Sequence, residues 1–240
     1  MTSPPPHTTR GLPNNMSPVS PGSFYTITSL KSLFSMQHNI HNLIFDFGKV
    51  LVDYDFEAFF SRFIPDQQRR WTVMTILYSD SLPQRLDRGD YTFEQLMQEL
   101  ILRYPDFADE ILIFSRHYTE IVTAEVSGMR TLLTQLKSEG YHLYGLTNWC
   151  SKVHDTMRQY DIFRLLDGHI ISSEVHTIKP EPAIYQCLLD RYHLHPSECV
   201  FTDDKAENVE AATRMGMHGI IFHDAKQYER DLRIILQHKN

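Results

Sequence analysis

Two hundred and forty residues, 42% of them hydrophobic, suffice for one α/β domain with an insertion or for two small domains, and exclude a disulfide-stapled mini-protein. With 23 Lys and Arg against 30 Asp and Glu, the formal charge of -7 offers no global attraction to nucleic acid or anionic lipid, so an anionic ligand needs local positive charge. The 3 cysteines (Cys150, Cys187 and Cys199) form no C-x-x-C pair, which fits a reducing cytoplasm rather than a disulfide frame or structural zinc.

Residues 1–38 read as a disordered or non-native tail: Pro4, Pro5, Pro6, Pro13, Pro18 and Pro21 stand among Ser, Thr, Asn and Gly, and no acid precedes Asp46. Such a segment buries too little apolar surface to offset its ordering entropy. Its Phe24–Met36 stretch is too interrupted for a secretory signal; the Ser and Thr content and the missing acids leave an organellar transit peptide open, against which Arg10 and Lys31 are the only bases. No apolar run reaches the roughly 18 residues that a membrane-spanning helix needs, and the mean hydropathy of -0.34 agrees.

Leu43-Ile44-Phe45 reads as a buried strand ending at Asp46, with a turn through Gly48. From Phe56 to about Thr123 only helical periodicity is visible, carried by Phe56, Phe59, Phe60 and Phe63, by Phe93, Leu96, Met97 and Leu100, and by Ile111, Leu112 and Phe114. Alternation of strands and helices then begins. A helix through Met129, Leu132, Leu133 and Leu136 stops at Gly140, and Tyr141–Leu146 is the following strand. His169–Ser172 and Cys199–Phe201 are further strands, separated by a helix opened by Pro182. A helix over Val209–Met215, a strand at Ile220–Phe222 and a helix over Tyr228–Leu236 complete the chain. The prediction is an α/β fold, a doubly wound, Rossmann-like parallel sheet with an all-helical insertion. The core comprises 39–54 and 124–240, and the insertion 55–123.

Ligands of such sheets bind beyond the carboxyl ends of the strands. Asp46, Thr147-Asn148 and Asp203-Asp204 follow three of the predicted strands, and Lys179 lies in the loop before the Pro182 helix. Carboxylates with one ammonium suit a magnesium ion beside a phosphoryl group: hard oxygen ligands for the cation, cationic and N–H donors for the phosphate. Taken singly, each residue has a plainer reading. Asp46 could end a turn, Asp203-Asp204 could cap a helix, and Lys179 could be a solvated loop lysine.

In order and spacing, Phe45-Asp46-Phe47-Gly48-Lys49-Val50-Leu51, Leu146-Thr147-Asn148, Lys179-Pro180 and Phe201-Thr202-Asp203-Asp204 with Asn208 resemble the four motifs of the haloacid dehalogenase-like (HAD) hydrolase superfamily. The helical insertion resembles the cap of its capped subfamily I, and Asp-Phe-Gly-Lys-Val with Thr-Asn-Trp is most similar to the branch containing bacterial α-D-glucose-1-phosphate phosphatase. The resemblance implies a Mg2+-dependent phosphatase acting on a small phosphorylated metabolite, plausibly a sugar phosphate, through an aspartyl-phosphate on Asp46. It implies that Thr147 and the Asn148 N–H hold phosphoryl oxygens and that Lys179 offsets charge. Asp46, the Gly48 carbonyl and Asp204 would hold the metal, with Asp203 and Asn208 in support. No nucleic-acid or membrane partner is expected, and the oligomeric state is open.

One position departs from the family pattern. Phosphatases of this superfamily carry a second Asp two residues after the nucleophile, as general acid, where this chain has Gly48. A positioned proton donor is worth about 10²–10⁴-fold, most for basic leaving groups. A sugar 1-phosphate, with its less basic hemiacetal oxygen, suffers least from the loss, and Asp53 or Asp55 could supply the proton instead. Two alternatives stay open: a 2-haloacid dehalogenase using the same Asp nucleophile, and a HAD-fold binding protein with weakened catalysis. Asp46-Phe47-Gly48 also matches a kinase magnesium motif, but no H-R-D loop accompanies it. Of the remaining candidates, His193 and His195 read as surface residues, Trp149 as either core or substrate-facing, and Tyr54, Arg85 and Arg88 as possible substrate contacts whose plainer readings are a core aromatic and surface charge.

Overall fold

A computed structural model describes residues 40–79 and 81–237. The tail predicted over 1–38 lies outside the described residues. The first strand, β1 (Asn42–Phe45), is wholly buried, as its unbroken apolar run requires. Lys49, at φ 63°, turns the chain into β2 (Val52–Tyr54). Five helices follow: α1 (Phe56–Phe63), α2 (Gln67–Tyr78), α3 (Leu82–Arg88), α4 (Phe93–Arg103) and α5 (Ala108–His117). Asp55 starts α1 by accepting the Ala58 N–H at 2.8 Å, and Thr92 with Gln95 forms a capping box at α4.

The chain returns through β3 (Val122–Glu125), which pairs antiparallel with β2. Helical periodicity had been expected up to Thr123, and the structure corrects its end. Strands of three and four residues are too short to show alternation, so this ribbon has no signature in the sequence. There follow α6 (Met129–Ser138), β4 (His142–Thr147), α7 (Val153–Gln159), β5 (Gly168–Ile171), α8 (Ser172–Val175), α9 (Pro182–Tyr192), β6 (Cys199–Asp203), α10 (Ala206–Arg214), β7 (His218–Ile221) and α11 (Ala225–Gln237).

The main sheet has the order β5-β4-β1-β6-β7, and every neighbouring pair is parallel. Strand alternation divides the core into two layers. Leu43, Phe45, Leu143 and Val200 pack with Leu132 and Leu133 of α6 and Leu232 of α11. Ile44, Leu146 and Phe201 pack instead with Ile184 and Leu188 of α9 and Val209 of α10. The predicted doubly wound α/β class is thus observed, and the reversal of strand order beside β1 opens the crevice where such folds bind ligands. Among the described residues no helix is long and apolar enough to cross a membrane.

Candidate active site

Three adjacent strands deliver their C-terminal residues to one crevice. Asp46 follows β1, Thr147 ends β4, and Asp203 ends β6 with Asp204 behind it. The Asp46 N–H extends the ladder to Thr202 O at 2.9 Å, so its position is fixed by sheet pairing. One carboxylate oxygen from each of Asp46, Asp203 and Asp204 lies within 4.8 Å of the others.

Lys179 organises this edge. Its side chain is 1% exposed, and its ammonium reaches Asp46 Oδ1 at 2.9 Å, Asp203 Oδ2 at 2.6 Å and Leu146 O at 2.8 Å. The two carboxylates raise its pKa against the burial that would lower it, so it stays charged. The plainer reading of a solvated loop lysine is excluded. Asn148 holds the Lys179 loop, its side-chain amide donating to Lys179 O at 2.9 Å and its Oδ1 accepting the Lys179 N–H at 2.7 Å.

The paired aspartates divide in function. Asp203 is fully buried, and its oxygens accept from Lys179, from Asn208 Nδ2 at 3.0 Å and from the Lys205 N–H at 2.9 Å. Its hydrogen-bonding capacity is used within the protein. Asp204 is half-buried and takes part in no ion pair among the described residues; burial and the Asp203 charge raise its pKa. Neither residue caps α10, whose N-cap is Lys205. Burial also pushes Asp46 up to about 6, Lys179 opposing the shift and Asp203 adding to it. Carboxylates crowded and desolvated in this way, two of them with free coordinating capacity, fit a hard divalent cation, to which Asp46, Asp204 and the Gly48 carbonyl could contribute oxygens.

These groups open into a cavity of about 420 Å³ between the crevice and the five-helix segment. Its walls include Tyr54, Phe56, Leu82, Tyr118 and Trp149, with polar atoms at Gln84, Asp87 and Glu207. Tyr54, read as a core aromatic, lines the cavity, and burial with the charges of Asp204 and Asp46 pushes its hydroxyl up to about 12. Trp149 is buried, donates to Tyr118 Oη at 2.9 Å and lines the same cavity, so both readings of it apply.

Other candidates face elsewhere. Arg85 pairs with Glu99 at 3.0 Å, and His193 and His195 are exposed. Arg88 is not free surface charge: it binds Glu181, which precedes α9. Neither Asp53 nor Asp55, the alternative proton sources, is among the residues lining the cavity: Lys49 pairs with Asp53, and Asp55 caps α1. Gly48 itself is crowded. A Cβ there would lie 3.0 Å from Tyr54 Cε1, so the ring occupies the room that a second aspartate would need. Two further residues at the site carry no signal in the sequence: Asp87 belongs to no motif, and Ser172 ends an apolar run that reads as a strand.

The chain resembles several known proteins. The chain is 27% identical over 110 residues to flavin mononucleotide hydrolase 1 of Arabidopsis thaliana, a match covering 45% of this chain and 44% of that protein, less than half its length. It is 23% identical over 211 residues to D-ribitol-5-phosphate phosphatase of Bacteroides thetaiotaomicron, covering 82% of this chain and 98% of the relative. In fold it is similar to a HAD family enzyme of the same bacterium, crystallised with magnesium and inorganic phosphate (TM-score 0.63, 20% identity, 78% of this chain and 96% of that one). Residues 40–216 match the haloacid dehalogenase-like hydrolase family model, and the chain belongs to that family of hydrolytic enzymes.

Proposed function

We propose that this chain is a Mg2+-dependent phosphatase that hydrolyses a small phosphorylated metabolite through an aspartyl-phosphate. The observation that carries the reading is the division of roles at the crevice: Lys179 and Asn208 hold Asp203, while Asp46 and Asp204 face the cavity with oxygens available for a cation and a reacting phosphorus. Asp46 attacks phosphorus and the leaving oxygen departs; water then cleaves the acyl phosphate, so one difficult displacement becomes two. Thr147 and the Asn148 N–H hold phosphoryl oxygens, and Lys179 balances charge between nucleophile and phosphate. Magnesium, when bound by Asp46, Asp204 and the Gly48 carbonyl, supplies charge neutralisation to the phosphoryl group.

Residues 55–123 act as the cap that closes the cavity against bulk water. Aromatic faces at Tyr54, Phe56 and Trp149 beside hydrogen-bonding groups at Gln84 and Glu207 suit a sugar phosphate, which presents a C–H face and a polar rim. This supports the resemblance to the sugar 1-phosphate branch, and the names of the flavin mononucleotide and ribitol 5-phosphate relatives define a panel around it. The free thiols of Cys150, Cys187 and Cys199 support a cytoplasmic setting.

The deciding assay measures phosphate release from sugar 1-phosphates, ribitol 5-phosphate and flavin mononucleotide, and chloride release from 2-chloropropionate, each with and without Mg2+. Metal-dependent phosphate release that Asp46→Asn abolishes is the expected result. Chloride release without metal identifies a dehalogenase, and release of neither product leaves a binding protein.

A further inference from the structure

If the chain is a phosphatase, Gly48 leaves it without a proton donor in the usual place, and Tyr54 fills the space above Gly48. The acid must therefore reach the cavity from another segment. Besides Asp46 and Asp204, the cavity is lined by two acidic residues, Asp87 and Glu207. Glu207 is exposed on the first turn of α10, whereas Asp87 is half-buried near the end of α3. Asp87 also stands apart from the three carboxylates grouped as potential cation ligands.

The end of α3 is docked onto α8 and the turn before α9. Ser172, fully buried, donates its hydroxyl to Asp87 O and accepts the Trp149 N–H at 3.0 Å, linking Asp87 to the segment that carries Thr147 and Asn148. Arg88 forms a two-pronged ion pair with Glu181, one arm at 3.0 Å. Gly89, at φ 72°, lets the backbones touch: a Cβ there would lie 2.3 Å from Ser173 O. Only glycine tolerates both the positive φ and this approach.

We propose that Asp87 is the catalytic proton donor to the leaving oxygen, the role for which Gly48 has no side chain; this rests on the phosphatase reading. In the first half-reaction an Asp46 oxygen bonds to phosphorus, the bond from phosphorus to the leaving oxygen breaks, and that oxygen takes the Asp87 proton and departs as the alcohol. In the second, the Asp87 carboxylate takes a proton from water as the water oxygen bonds to phosphorus, the bond from phosphorus to Asp46 breaks, and phosphate leaves with Asp46 and Asp87 restored.

The surroundings keep a substantial fraction of Asp87 protonated at neutrality. Burial and the charge of Asp46 push it up to about 7 against the opposing pull of Lys205 and Lys179. Tyr118 and Cys150, the other titratable groups facing it, are neutral there, since burial raises the phenol well above its usual value and the thiol to about 11.

Asp87→Asn keeps the shape and removes the proton. The test compares kcat/KM for phenyl phosphate and 4-nitrophenyl phosphate, whose rings match in shape but whose leaving oxygens differ in basicity. The expected loss with phenyl phosphate is about 10²-fold and exceeds that with 4-nitrophenyl phosphate by roughly tenfold. The wild-type decline above about pH 7 disappears, and the affinity for inorganic phosphate by calorimetry stays within about twofold. Gly89→Ala, which displaces Asp87 while keeping its carboxyl, reproduces the same leaving-group bias if the asparagine variant does not fold. Equal losses for both esters overturn the assignment. If wild type cleaves neither ester, Asp87→Asn is compared on the sugar phosphates, where an unchanged kcat/KM overturns the assignment; release from none of these substrates overturns it together with the phosphatase reading.

Discussion

Replacing Lys179 by Met removes the ammonium that holds two buried carboxylates together. All three of its N–H donors are engaged, on Asp46, Asp203 and Leu146 O, and its side chain is 1% exposed. Breaking a buried pair from one side costs about 3–5 kcal/mol, because the abandoned charge stays desolvated. Asp203 keeps its bonds from Asn208 and the Lys205 N–H, so the released repulsion falls mainly on Asp46, already raised from 3.8 to about 6. Its pKa rises further in the variant. The stability lost is then smallest below about pH 4, where the Asp46 carboxyl is protonated in the folded and unfolded chain alike, and grows as pH rises towards the new value. Asp203→Asn removes the second charge, so Lys179→Met with Asp203→Asn should lose about 2 kcal/mol less than the two single losses together. Urea denaturation of metal-free protein at pH 4, 6 and 8 measures all three variants. Additivity within about 0.5 kcal/mol at pH 8 refutes the reasoning.

Asp87 in the metal-free protein should weaken folding as pH rises: its pKa moves from 3.8 to about 7, so its stabilisation is complete below about pH 4 and gone above about pH 7. Asp87→Asn therefore gains up to about 4 kcal/mol relative to wild type between pH 4 and 8, and a flat difference in urea denaturation contradicts the shift. Gly48→Asp forces a Cβ to within 3.0 Å of the Tyr54 ring, so alone it should not accelerate hydrolysis of alkyl phosphates. Combined with Tyr54→Ala it should, and acceleration by the single change shows that the ring gives way freely. Added Mg2+ at about 100 times its Kd should stabilise wild type by about 2.7 kcal/mol in thermal shift, and Asp204→Asn should lose most of that gain.

The sheet was legible because parallel strands buried on both faces leave continuous apolar runs, as at Leu43–Phe45 and Cys199–Phe201. The crevice was legible because its groups stand at strand ends within short contiguous motifs. What escaped depends on tertiary contact. The β2 and β3 ribbon joins residues about 70 positions apart through a handful of backbone bonds. In α2 only Val73, Ile76 and Leu77 are buried while Trp71 and Tyr78 are exposed, so no apolar stripe marks the helix. Ser172, taken as the end of a strand, begins α8, and its buried hydroxyl has a partner only because α3 lies above it.

Under the proposed assignment, Gly48 would leave the mechanism distributed over the chain. In the usual arrangement, nucleophile and acid share one turn, and sheet pairing fixes both. Here sheet pairing fixes Asp46 alone, and under the proposed assignment the acid stands on α3, held by Ser172, Arg88 and the close approach at Gly89. Arg88 and Glu181 are each about one-third exposed, so their pair adds little to global stability. Its two-pronged geometry fixes orientation instead, which a proton donor needs more than it needs binding energy. Formation of the phosphoryl-enzyme from a basic leaving group would then depend on α3 remaining docked, whereas hydrolysis of esters with good leaving groups would not. Leaving-group preference in this enzyme would thus be controlled by a contact between two segments rather than by the motif that bears the nucleophile.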